Sequence, residues 1–178
     1  MSREIPSSKA RGRALGLVAL LAVPAFAGTV ALAQSKGPMD EVTITVLRVK
    51  ALDKIDLGNP NKKADFFARA SIGGTTVKSD VSKGSDDIKP NWKLKASVPR
   101  GKTNVKFEIL DKDILTPADA IDVNRLNNKR DLDFTVDTAK CRIEGFSGGY
   151  RCGTAISRAG AEKRRAAVTF RVDVVKGK

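Results

Sequence analysis

The sequence predicts an all-β chain: an antiparallel β-sandwich of about eight strands. Three observations carry this reading. Apolar residues recur at every second position through most of the chain, the period of a strand with one face buried. Clusters rich in Gly, Pro, Asn and Ser separate these runs: "LGNPNKK", "IGGTT", "SKGSDDIKP", "PRGKTN" and "LNNKRD". No long stretch shows the 3.6-residue spacing of an amphipathic helix; only 118–127 and 155–166 suggest a short helical turn.

The elements follow in order. The first strand, "VTITVLRV", changes phase near Val46-Leu47, which predicts a bulge. In "ADFFARASI", Phe66, Ala68, Ala70 and Ile72 share one face. In "NWKLKASV" that face is Trp92, Leu94, Ala96 and Val98, with Trp92 a core residue. "VKFEIL" points Val105, Phe107 and Ile109 inward, "DLDFTVD" points Leu132, Phe134 and Val136, and "VTFRVDV" points Val168, Phe170, Val172 and Val174. Such one-sided strands are what an antiparallel sandwich requires.

Ahead of the strands stands a basic leader, "MSREIPSSKARGR", then the apolar run "ALGLVALLAVPAFAGTVALA". Ala31-Leu32-Ala33 is a small-x-small site, so residues 1–33 are expected to be a cleaved signal peptide, with an uncleaved anchor as the competing reading. Residues 34–41 are a flexible lead-in and 42–178 a single domain. Export to a secreted or periplasmic setting predicts a disulfide between Cys141 and Cys152, closing the hairpin "CRIEGFSGGYRC".

The chain carries 33 Lys and Arg against 20 Asp and Glu, a formal charge of +13, and no histidine. The missing histidine removes the usual general base and the Ser-His and Cys-His nucleophile pairs. Two cysteines are too few for a zinc or iron–sulfur centre. No enzyme activity is expected. Paired aspartates could in principle hydrolyse a glycoside, but carboxylates on one rim without a substrate groove argue against it. A phosphate loop is also excluded, because "GGTTVKS" lacks the required spacing and helix.

Acids nevertheless concentrate in "LDKDILTPADAIDV", beyond the strand ending at Leu110, and in "ALDKIDLGNPNKKADFF" between the first two strands. Unpaired carboxylates brought together repel one another. A hard cation relieves this, and calcium accepts six to eight oxygens in flexible geometry. The competing reading is a set of ordinary solvated turns.

These residues resemble the C2 domain family, calcium-dependent membrane-docking β-sandwiches of Greek-key topology. Asp111, Asp113 and Asp119 stand at D-x-D-x5-D, as in that family's third loop. Asp65 in "ADFFARASIGG" matches the second ligand of its first loop, and Asp56 the first, with Asp53 as the alternative. "KPNWKLKASV" is similar to its tryptophan-bearing strand. The resemblance covers about residues 42–137, with 168–175 as a final strand. Segment 138–165 has no clear counterpart, and the first loop is longer than usual.

The resemblance implies a calcium cup of Asp56, Asp65, Asp111, Asp113 and Asp119. It implies that Ile114 and Leu115, with Ile55 and Leu57 in the first loop, enter a lipid interface, assisted by Lys62 and Lys63. Lys62, Lys63, Lys163, Arg164 and Arg165 otherwise read as solvated faces. The expected function is a secreted, non-enzymatic calcium-binding module that docks to anionic lipid or another anionic surface. The alternative is a calcium-independent sandwich that binds an anionic polymer or a protein partner through basic faces. No specific nucleic-acid target is implied.

Overall fold

The computed structural model describes residues 37–55, 63–112, 118–126 and 128–178. Among them there is no helix, and two antiparallel sheets face each other. The strands are β1 (Met39–Ala51), β2 (Phe66–Ile72), β3 (Thr75–Lys78), β4 (Asp87–Ile88), β5 (Trp92–Pro99) and β6 (Lys102–Asp111). They continue with β7 (Asp119–Ile121), β8 (Leu132–Asp137), β9 (Arg142–Glu144), β10 (Tyr150–Arg151), β11 (Ala155–Ala159) and β12 (Ala166–Val175). Eight have four residues or more, and the remaining four are two- or three-residue additions at loops.

One sheet centres on β1, which pairs with β12 on one side and with β5 and then β4 on the other; β11 forms the edge beyond β12. The other runs β10-β9-β8-β6-β2-β3, with β7 added to the far end of β6. The expected bulge is present: the β1–β12 register slips between Val46 and Arg48. That slip lets Val46 and Val49 both face inward.

Period-two alternation fills the core as the sequence predicts. Phe66, Ala68, Ala70 and Ile72 are buried, as are Val105, Phe107 and Ile109, Leu132, Phe134 and Val136, and Val168, Phe170 and Val172. The rings of Phe107 and Phe134 meet Phe170 at 5.2 and 5.8 Å, joining the two sheets at their middle. Trp92 is only half-buried and packs against this core from the side. No buried side-chain polar atom among the described residues lacks a partner.

The two suggested helical turns are strands instead. Residues 119–121 continue the sheet beside β6, and 155–159 pair along β12. Pairing satisfies the backbone of these short segments, and Ile156 is buried at the sandwich edge, so tertiary pairing outweighs local propensity. The Cys141–Cys152 disulfide is formed, with Cα atoms 5.3 Å apart, and closes the β9–β10 hairpin. Gly149 turns that hairpin at φ +60°, a left-handed value that costs glycine nothing.

Candidate functional site

Strand register assembles the acidic rim. On β6, Asp111 lies opposite Phe66 of β2 on one side and opposite Asp119 of β7 on the other. Asp65 immediately precedes Phe66. Three of the five expected ligands therefore arrive at one end of the sandwich from three neighbouring strands.

Hydrogen bonds hold the row. Asp111 is nearly buried, at 3 % exposure, and its Oδ1 accepts the Asp65 backbone N–H at 2.7 Å. The Lys112 N–H returns a bond to the Asp65 carbonyl at 2.9 Å. Asp65 Oδ1 accepts the Gly84 N–H at 2.7 Å, which ties a further loop to the same end. Asp56, Asp113, Ile114, Leu115 and Lys62 lie outside the described residues, as does Leu57. Lys63 is described and exposed.

Arg164 and Arg165 do not form a solvated face. Arg164 pairs with Asp119. Arg165 grips Asp53 bidentately, at 2.8 and 3.0 Å, and its backbone N–H adds a third bond at 3.2 Å. The Asp53 carboxyl is accordingly held below its ordinary range, chiefly by the Arg165 guanidinium. The two arginines sit on the strap 160–165, the loop that joins β11 to β12 at the end of one sheet. Its carbonyls accept from both sides: the Leu52 N–H bonds Arg165 O and the Asp122 N–H bonds Arg164 O.

Asp122 anchors the strap. It is fully buried, and its carboxylate accepts backbone N–H groups from Asn124, Ala161 and Glu162 at 2.9, 2.8 and 2.6 Å. Gly160 is required beside it, because a Cβ there would fall on the Asp122 carbonyl oxygen. One signal for the strap was available in the sequence. If the first and last strands pair antiparallel, Ala51 meets Ala166, and "EKRR" must lie beside the first acidic loop.

Ile55 corrects another expectation. It is 3 % exposed and packed into the core, so it is no loop tip. Among the described residues of that loop, Leu52, at 43 %, is the exposed apolar side chain.

The donor set is all oxygen, which suits a hard cation such as calcium. Among the described residues, however, no group of three or more acids is placed to hold a metal. A complete cup therefore needs Asp56 and Asp113 as well, with Arg164 giving up Asp119.

A C2 domain family model matches residues 40–139. Among solved structures, a C2 domain of plant extended synaptotagmin 1 is similar at TM-score 0.54 and 14% identity, covering 79% of this chain and 98% of that one. A calcium-bound pair of C2 domains from extended synaptotagmin 2 matches at TM-score 0.52 and 16% identity, over 78% and 46%. Human GIVD cytosolic phospholipase A2 matches at TM-score 0.51 and 11% identity, over 78% of this chain and only 17% of the enzyme. No curated protein sequence matches the chain. These structures share the sandwich, and the family match spans the strands that carry Asp65, Asp111 and Asp119 together with the tryptophan strand. On that ground the chain belongs to the C2 domain family.

Proposed function

We propose that this chain is a secreted, non-enzymatic module that binds calcium at the rim and then docks to anionic lipid head groups. The observation that carries this reading is the register that sets Asp111 opposite Asp119 and beside Asp65. Asp56 and Asp113 complete the ligand set. A bound divalent cation supplies positive charge where bare carboxylates would repel an anionic surface. On this reading Leu52 and Lys63 meet that surface, and Ile114, Leu115 and Lys62 are the further residues expected to engage it.

The ion pairs Arg164–Asp119 and Arg165–Asp53 favour a second reading. In it, the strap supplies the counter-charge permanently and the module docks to an anionic ligand without metal.

One experiment separates the two. The protein is melted, and mixed with phosphatidylserine vesicles, in 10 mM calcium and in chelator. The first reading expects a higher melting temperature with calcium, since a ligand that binds only the native state must raise it. It also expects sedimentation with vesicles only in calcium, with a midpoint of roughly 10⁻⁴–10⁻³ M, usual for extracellular modules. Asp111→Asn should weaken both effects, and Asp80→Asn on an exposed loop should leave them unchanged. An unchanged melting temperature, with salt-sensitive sedimentation in chelator, would overturn the first reading in favour of the second.

A further inference from the structure

The segment beyond the family match, 140–165, contributes to four cavities, three of which share arginine or tyrosine walls. One recess beside the disulfide hairpin, about 490 Å³, has Phe146 and Tyr150 as its aromatic wall, with Arg125, Lys129 and Arg158 around it. A second, of about 460 Å³, shares Tyr150 and is lined by Lys140, Arg142 and Arg151. A third, of about 570 Å³, shares Arg125 and Arg158. Together they form a continuous track lined by six cations and a single acid, Asp133. Lys129 is bound to that acid at 3.2 Å. Among the described residues, none of the other five cations has a carboxylate partner.

Arg158 is the best-prepared of them. It is half-buried, with its guanidinium 4.4 Å from the Phe146 ring centroid and 5.5 Å from that of Tyr150. One nitrogen donates to the Ser157 carbonyl at 3.0 Å, and another reaches the Tyr150 hydroxyl at 3.5 Å. Stacking and these bonds fix the plane of the fork before any ligand arrives, which lowers the ordering cost of binding. The remaining N–H donors suit a planar carboxylate or a sulfate. Beside it, Leu126 is 65 % exposed and widens the apolar floor.

We propose that this track is a second, calcium-independent binding site for a linear acidic polysaccharide, a chain of sugar rings carrying carboxylates or sulfates. The succession of cationic recesses fits repeated charges along a chain better than one small anion. The aromatic edge and leucines offer apolar surface for sugar faces. The disulfide belongs to an oxidising setting outside the cytosol, where such polymers are met and nucleic acid is not. The track meets the strap 160–165 at Gly160 and Ala161 but includes none of the rim acids, so its anion binding needs no calcium.

The test is titration of the whole exported protein, in chelator, with a polyuronate hexamer followed by calorimetry. A neutral glucan hexamer and a single-stranded oligonucleotide of equal charge are the comparison probes. Binding is expected for the uronate, none for the neutral sugar, and weaker binding for the oligonucleotide. Arg158→Ala should lower uronate affinity roughly tenfold or more, because a charge-assisted bond is lost. Arg158→Lys, which keeps the charge but not the fork, should recover only part of it. Arg142→Ala with Arg151→Ala tests the second recess and touches no core residue. Lys95→Ala, on the β5 face of the other sheet, should change nothing. Equal affinity for oligonucleotide and uronate, or uronate binding unaffected by Arg158→Ala in a variant that melts like the parent, would overturn the proposal. Loss of calcium binding at the rim would leave it standing.

Discussion

The two ends of the sandwich both set arginine against aspartate, yet they differ in what the pairing does. At the end away from the rim, Asp40 is fully buried. Arg100 reaches it at 3.0 Å, the Gly177 N–H reaches it at 3.0 Å, and Arg100 also donates to the Gly177 carbonyl at 2.8 Å. The carboxyl is pulled down to about 2, mainly by its bond to Arg100 and against the cost of burial. At the rim, Asp119 is 45 % exposed by side chain and Arg164 25 %. Arg100 keeps 37 % of its side chain exposed, so it is the burial of Asp40 that matters: losing that carboxylate leaves the Gly177 N–H and the arginine fork unpaired beside the core, whereas a wet pair loses little. Burial therefore separates a fixture from a contact that can be exchanged, and the exchangeable kind stands where a metal or surface would compete.

Replacing Asp40 sharpens this contrast most. Asp40→Asn should lower stability several times more than Asp119→Asn, which should cost about 1 kcal/mol or less. Urea melts of the two variants side by side decide it; equal losses would mean the two ends are alike.

Acid should probe the same difference with a smaller effect. Asp40 holds its proton more weakly when folded than the usual carboxylate, near 3.9 when unfolded. Its stabilisation is therefore complete above about pH 4 and is lost as the pH falls through about 2. Melting temperature against pH should fall over that window in the parent and be flatter in Asp40→Asn.

The smallest effect on stability is expected from Arg164→Ala with Arg165→Ala. In chelator the melting temperature should move by only a few degrees. Under the calcium reading, the midpoint for calcium should tighten several-fold, because Asp119 and Asp53 no longer have an internal competitor. An unmoved midpoint in a titration of this variant would show that the strap and the metal do not compete.

Much of the fold was legible because its information is local. Alternation in β2, β5, β6, β8 and β12 marks the inward faces directly, and the broken alternation at Val46-Leu47 marks the bulge. The cysteine pair was readable from spacing around a glycine turn. The row Asp65–Asp111–Asp119 was legible in part: alternation locates the strand ends that carry Asp65 and Asp111, whereas Asp119 lies where the sequence suggested a helical turn and is set by pairing with β6. The arginine strap was legible only in its placement beside the first acidic loop, and its ion pairs were not. Arg165 and Asp53 are 112 residues apart in sequence, and nothing in "EKRR" distinguishes a paired guanidinium from a solvated one. Ile55 was misassigned for a similar reason: an isolated apolar residue in an acidic loop has no periodicity to say which way it turns.

The central strand β1 has a consequence for the order of events during synthesis. It is the earliest described strand to leave the ribosome, and its long partner β12 is the last, with Glu41 opposite Val175 and Ala51 opposite Ala166. The five-stranded sheet thus lacks its middle pairing until β12 has been made. Contacts so distant in sequence close slowly, because the loop entropy is spent before the contacts form. Until β12 has been made, the sandwich stays open. Its two cysteines join where the surroundings are oxidising.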